Sequence, residues 1–241
     1  SIRRQRQMCI RDRRGNRMRI AVAGGTGVVG RHAVEAARAA GHEVVVLSRS
    51  SGADVLTGAG LDERMQGADA VIDVTNTTTL SAAKAVKFFE TATRNLLAAE
   101  SRAGVTHHVA LSIVGIDGID ASYYAGKLAQ ERAVAAGSVP FTIARAGQFH
   151  EFAGQLLSRM SGPVAVLPKL LMRPVAAREV GEHLVRVAEG APAGRASDLV
   201  GPRNEVLADV ARRQLAFDGV RRRGLGAVSY THLRAHETPE H

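Results

Sequence analysis

The sequence predicts an α/β fold built on a doubly wound parallel sheet, and three observations carry that expectation. From Met18 onward strand-like runs alternate with helix-period segments, a glycine-rich turn joins the first strand to the first helix, and the strands are apolar throughout. Strands of that kind belong in a parallel sheet covered on both faces. The 241 residues suffice for one large domain or two small ones; a hydrophobic content of 45% excludes a disordered chain, and the single Cys excludes a disulfide scaffold. No uncharged apolar run approaches the ~18 residues that a membrane span needs.

Taken in order, Arg19 to Ala23 (RIAVA) is the first strand and runs into glycines. Val28 to Ala40 repeats apolar residues at helical spacing until Gly41 stops it. Glu43 to Leu47 (EVVVL) is the second strand, and a short third strand is predicted near Asp54 to Leu56. A brief helix from about Leu61 leads to a fourth strand over Ala70 to Val74 (AVIDV). Ser81 to Ala103 has helical periodicity, with Ser81 as its N-cap, Phe88 and Phe89 on its buried face and Gly104 at its end. Strands over His108 to Leu111 and Phe141 to Ala144 flank a helix over Ser122 to Ala136. Past Gly147 the pattern loosens into helices over Phe149 to Met160, Arg178 to Glu189 and Asn204 to Phe217, with an extended piece near Val164 to Leu167. No repeat, low-complexity segment or linker marks an independent second domain.

Lys+Arg 32 against Asp+Glu 23 gives a net charge of +9, which by itself points to nucleic acid or an anionic surface. Its distribution weakens that reading. Arg3, Arg4, Arg6, Arg11 and Arg13 crowd the first residues beside the only cysteine, Cys9. The strings Arg3 to Arg13 (RRQRQMCIRDR) and Val228 to Thr238 (VSYTHLRAHET) resemble translations of the two adapters of transposase-based sequencing libraries. Residues 1–17 are therefore set apart as a non-native leader and 228–241 as a non-native tail, which leaves a domain over 18–227. Removing the five Arg and one Asp of residues 1–13 and the net −1 of residues 228–241 lowers the charge to +6. Nucleic-acid binding loses most of its support with those residues, and no membrane partner is expected. A cysteine-free core without a targeting segment is consistent with the cytoplasm.

The strongest local signal is Gly24-Gly25-Thr26-Gly27-Val28-Val29-Gly30, at a strand-to-helix turn. Gly24 permits the tight turn, Gly27 lets backbone N–H groups approach a pyrophosphate, and Gly30 lets the helix pack closely on the strand, the pattern of a Rossmann dinucleotide site. No Lys-Ser/Thr pair follows, so it is not a P-loop. At the end of the second strand stand Leu47-Ser48-Arg49-Ser50, with no acid. A carboxylate there would accept from the NAD ribose hydroxyl; a guanidinium flanked by hydroxyls suits the 2′-phosphate of NADP. NADP(H) is expected over NAD(H).

Tyr123 and Lys127 stand at i and i+4, on one helix face, and Ser112 follows a strand at the carboxyl edge of the sheet. Such a Ser, Tyr, Lys set resembles the site that short-chain reductases use, and the resemblance implies that the tyrosine hydroxyl exchanges a proton with a carbonyl, its pKa lowered by the ammonium. Lys127 would also hold the nicotinamide ribose and Ser112 the substrate oxygen. Tyr124 competes for the role of Tyr123.

The glycine spacing resembles the short-chain dehydrogenase/reductase superfamily. Asp69 to Asn76 (DAVIDVTN), Ala103 to Gly115 (AGVTHHVALSIVG), Tyr123 to Glu131 (YYAGKLAQE) and Pro140 to Phe152 (PFTIARAGQFHEF) resemble its atypical, NmrA-like, NAD(P)H-binding subgroup, over about residues 18 to 218. The resemblance implies that Gly24, Thr26, Gly27, Val28, Val29 and Gly30 hold the pyrophosphate and that Ser48 and Arg49 sit at the adenosine phosphate. It places Thr75 and Asn76 beside the ribose, at the fourth strand's end, and Ser112 and Lys127 beside the nicotinamide half. Gln148 and Phe149, past the sixth strand, would face nicotinamide or substrate. It further implies an oxidoreductase acting on a small carbonyl, quinone or enone, or a non-catalytic NADP(H) sensor, as monomer or homodimer. Members usually continue past Phe217, so the substrate-side subdomain after about residue 147 is expected to be truncated. Arg221 to Arg223 then read as a solvated charge run. His107 and His108, adjacent on a strand, point to opposite faces and do not chelate one ion; no metal site is expected. His150, in the first turn of a helix, reads as structural or solvated.

Overall fold

The computed structural model describes the backbone of residues 17–158, 160, 165–168, 170–219 and 225–228. All but Arg17 of the expected leader, all but Val228 of the expected tail, and the Arg221 to Arg223 run lie outside the described residues. The chain runs β1 (Arg19–Ala23), α1 (Val28–Ala39), β2 (Glu43–Leu47), a single 3₁₀ turn (Arg49–Ser51), α2 (Leu61–Met65), β3 (Ala70–Asp73), α3 (Ala82–Ala103), β4 (His107–Ile113), α4 (Ser122–Ala135) and β5 (Phe141–Ala146). It continues through α5 (Glu151–Ser158), β6 (Ala165–Pro168), β7 (Leu171–Met172), α6 (Ala177–Glu189), β8 (Gly194–Arg195), β9 (Glu205–Val206), α7 (Leu207–Phe217) and β10 (Leu225–Val228).

Six strands form one parallel sheet in the order β2-β1-β3-β4-β5-β8. The winding direction reverses between β1 and β3, which opens a crevice at their carboxyl ends, the place where sheets of this kind receive ligands. β3 is buried at every position, as a strand covered on both faces must be. Ile20, Val22, Ile72 and Val109 pack on α1 and α6 through Ala33, Val34, Val180 and Leu184. Ala21, Ala23, Leu47 and Val71 pack on the other face against Leu61, Met65 and Leu96 of α2 and α3. Ser81 caps α3 as its sequence predicts, its Oγ accepting from the N–H of Lys84 at 3.5 Å. A smaller core joins α5, α7 and the strands between them through Ala153, Leu157, Leu167, Met172, Leu207 and Leu215.

The strand expected near Asp54 to Leu56 is absent, because Asp54 folds the chain back on itself. Its Oδ1 accepts from Leu56 N at 2.8 Å, its carbonyl accepts from Gly58 N at 2.8 Å, and its own N–H donates to Ala59. Thr75 and Asn76 thus follow the third strand of the fold rather than the fourth, and Gln148 and Phe149 the fifth rather than the sixth. The two adjacent histidines do face opposite ways. His107 meets Thr142 Oγ1 at 2.9 Å, whereas His108 is buried on Glu100 at 2.8 Å. Burial disfavours the His108 imidazolium, but the Glu100 carboxylate outweighs it and its pKa is raised.

Candidate active site

The β1–α1 turn is shaped by steric necessity. Gly24 has φ +78, and a Cβ there would stand 2.8 Å from the carbonyl oxygen of Val74; a Cβ on Gly30 would stand 2.2 Å from that of Gly24. Only unsubstituted residues let the loop lie against β3 and the first turn of α1 lie against the loop. Gly27 is the N-cap of α1 and offers no side chain to it. Among the described residues, the N–H groups of Val28, Val29 and Gly30 meet no acceptor; the turn is closed only by Gly27 N to Gly24 O at 2.9 Å and Arg31 N to Gly27 O at 3.0 Å. Thr26 and Gly27 are exposed, so these donors and the positive end of the helix dipole open on solvent.

Gly24 N donates to Leu47 O at 3.2 Å, which ties the loop to the end of β2. There Ser48, Ser50 and Ser51 form a local hydroxyl cluster, with Ser48 Oγ 2.9 Å from Ser50 Oγ and Ser51 Oγ accepting from Ser48 N at 3.0 Å. Arg49, between them, is exposed and has no ion pair among the described residues. A free cation beside unpaired N–H donors suits an anion with two phosphate positions.

At the end of β3 the buried Asp73 accepts from Thr75 N at 2.9 Å and from Gln130 Nε2 at 2.8 Å. Gln130 in turn accepts from Lys127 Nζ at 2.5 Å. Lys127 is buried as well, donates to the carbonyl of Leu111 at 2.6 Å and lies 4.6 Å from the Phe89 ring centroid. Burial brings its pKa down to about 8, with Asp73 and Glu131 opposing the shift. Next to Leu111, Ser112 Oγ is buried without a partner among the described residues, as is Thr75 Oγ1. Two orphaned hydroxyls at the carboxyl ends of adjacent strands are costly unless a ligand satisfies them.

Tyr123 and Lys127 share one face of α4, but the expected lowering of the tyrosine pKa is overturned. Burial, then Tyr124 and the Asp73 carboxylate, push Tyr123 well above its usual range. The ammonium is occupied by Leu111 and Gln130, while the Tyr123 hydroxyl donates instead to Asn76 Oδ1 at 2.8 Å. Tyr124 is raised by burial alone and packs edge-on to Tyr123, centroids 6.1 Å apart. Ser122, just before them, has φ +52, a left-handed conformation that costs a non-glycine residue on the order of 1–2 kcal/mol. Beyond β5, Gln148 lends its carbonyl to Val175 N at 3.0 Å, and half-buried Phe149 pairs with Val175 and packs on the α1/α6 core. His150 is exposed. No group of three or more potential metal ligands occurs among the described residues.

Sequence reasoning missed Arg145, Gln130 and the role of Asp73. The Arg145 side chain is 3% exposed, forked onto Asp117 at 2.5 and 2.8 Å and onto Glu131 at 2.7 and 2.8 Å. Hydrogen bonds to Asp117 and then Glu131 raise its pKa, and the same guanidinium lowers that of Asp117. The available signal was a charge inside an otherwise apolar strand, FTIARA or AVID, which must find partners on folding.

Residues 20–145 match the sequence profile of the NAD dependent epimerase/dehydratase family. No curated protein matches the chain. Among solved structures, the chain is similar to MoeE5 in complex with UDP-glucose and NAD, at 19% identity and TM-score 0.69, over 87% of this chain and 85% of that one. It is similar to a Thermus thermophilus UDP-glucose 4-epimerase in complex with NAD, at 18% identity and TM-score 0.67, over 88% and 86%. It is also similar to the Bordetella bronchiseptica enzyme WbmH in complex with NAD+, at 13% identity and TM-score 0.70, over 88% and 86%. These likenesses show the fold.

Proposed function

The chain belongs to the NAD-dependent epimerase/dehydratase family, and from that premise we propose that it is an NADP(H)-dependent oxidoreductase of the short-chain reductase type that reduces a small carbonyl, quinone or enone compound. One observation supports the reading above the others. The unpaired first-turn donors of α1 open at the same sheet edge as the buried, unpartnered hydroxyls of Thr75 and Ser112. The residues present therefore fit a dinucleotide laid across the β1/β3 switch point.

In this reading Gly24, Thr26, Gly27, Val28, Val29 and Gly30 receive the pyrophosphate, and Ser48 and Arg49 the adenosine 2′-phosphate. Thr75 and Asn76 lie at the ribose, and Gln148 and Phe149 border the substrate. When bound, the nicotinamide supplies the hydride. Lys127, with donors already placed on Leu111 and Gln130, turns its remaining N–H toward a ribose hydroxyl. Ser112 orients the substrate oxygen. Tyr123 carries its proton at pH 7, as an ordinary tyrosine does, and in this reading passes it to the carbonyl oxygen that the hydride transfer reduces.

A second reading, a non-catalytic NADP(H) sensor, draws on the same tyrosine, because its hydroxyl is engaged by Asn76 and lacks contact with Lys127. NADPH consumption in the presence of quinones, aldehydes and enones, together with product analysis of UDP-glucose incubated with NAD+, separates the possibilities. Turnover of one of the first three classes is expected. Turnover of UDP-glucose alone would redirect the substrate to the kind of compound named for MoeE5, and NADPH binding without any turnover would leave the sensor.

A further inference from the structure

We propose that Arg145 is a positioning residue that sets the Tyr123 hydroxyl relative to Ser112 by clamping the segment between them; this rests on the reductase reading above. Ser112 and Tyr123 stand at the two ends of residues 113–122, which carry the chain from β4 into α4. Arg145 is the register partner of Ser112 across the β4–β5 pair, so the two side chains leave the sheet on one face. From that point its guanidinium reaches forward to Asp117, in the middle of the connection, and sideways to Glu131, on α4 itself. One planar group thus ties strand, loop and helix together through four hydrogen bonds, a geometry that Lys cannot reproduce.

Among the described residues, little else fixes the loop. Its backbone bonds include Val114 N to Ala146 O and Ile119 N to Ile116 O, both at 3.0 Å, and Ile116 is its buried anchor. Ser122 nevertheless holds a left-handed φ directly before Tyr123, a conformation that persists only where the surroundings impose it. The clamp also has unequal arms. The Glu131 side chain is 12% exposed, whereas that of Asp117 is 69% exposed. A carboxylate so open to water adds little to global stability. Its bidentate bond instead restrains where the loop, and with it Tyr123, can sit.

Asp117→Asn tests this without removing the buried guanidinium, whose loss could unfold the chain. Asp117→Glu serves as the conservative rescue, and Arg102→Ala, which breaks an exposed pair between α3 and Asp62 of α2, as a control. For Asp117→Asn, amide exchange in residues 114–122 should rise about tenfold, with Tm within about 4 °C of the unaltered chain. Its kcat toward the best carbonyl substrate should fall at least about tenfold while NADPH affinity stays within about twofold. Asp117→Glu should recover most of both effects, and Arg102→Ala should show neither. Unchanged exchange in 114–122, a failed rescue, or a fall in kcat that merely follows losses of Tm and NADPH affinity would overturn the clamp. If the unaltered chain reduces no substrate, the reductase reading fails and the positioning role falls with it. Exchange in 114–122 would then still show whether Arg145 restrains the loop.

Discussion

Burying a lysine next to two neutral acceptors fixes its charge state to pH in a way an exposed lysine never shows. Lys127 keeps its ammonium on the Leu111 carbonyl and Gln130, with Asp73 behind the glutamine, and burial brings its pKa from 10.5 to about 8. Below pH 8 both folded and unfolded chains hold the proton, and the folded chain bears the whole cost of desolvating it. Between about 8 and 10.5 the unfolded chain binds more protons than the folded one, so stability from this group rises with pH. Denaturant titration of the unaltered chain and of Lys127→Met should therefore give a stability difference that shifts in favour of the unaltered chain over that range, by up to about 3 kcal/mol. A flat difference would place the ammonium in water. The sequence placed Lys127 and Tyr123 on one helix face correctly, since i,i+4 spacing needs only a helix. It did not reveal that the hydroxyl pairs with Asn76, because that contact crosses 47 residues of chain. Nor could spacing show that the ammonium would be spent elsewhere.

At the scale of elements, the β1–α1 turn is held by its glycines. A methyl group at Gly30 would collide with backbone rather than with a movable side chain. Gly30→Ala should displace the first turn of α1, cost about 1–3 kcal/mol of stability and abolish measurable NADPH binding even where the variant stays folded. Calorimetric titration of a folded Gly30→Ala chain checks this, and wild-type affinity would remove the loop from the site. This element was legible because glycine restrictions are local. The strands β1, β2, β3, β4 and β5 were legible for a related reason: each is a compact apolar run bounded by turns. The segment Asp54 to Leu56 was not, because two apolar residues after an aspartate read as a strand until the Asp54 side chain caps its own turn. The two-residue strands β7, β8 and β9 carry no periodicity of their own. They exist because the ends of the sheet and of the small C-terminal core offer them partners.

For the whole molecule, the parallel order β2-β1-β3-β4-β5-β8 gathers into one crevice residues that lie far apart in sequence. The turn at Gly24, the cation at Arg49, the hydroxyls of Thr75 and Ser112 and the ammonium of Lys127 all belong to carboxyl ends of strands or to the loops and helices just beyond them. The net charge of +9, which first suggested a polyanion, takes a different meaning in this light. Residues 1–13 and 228–241 together carry a net +3 of it, about a third, and one of the remaining cations, Arg49, has no ion pair among the described residues and, in the proposed reading, meets the adenosine 2′-phosphate. The fold class needed only the alternation of elements. The crevice needed the winding order, which no single segment of sequence encodes. The central claim is that this crevice binds NADP(H) and that Arg49 selects it. The direct measurement is the Kd of NADPH and of NADH for the unaltered chain and for Arg49→Ala. NADPH should bind about tenfold or more tighter than NADH, and Arg49→Ala should erase that difference by weakening NADPH alone. Equal weakening of both cofactors, or binding of neither by the unaltered chain, would contradict the account.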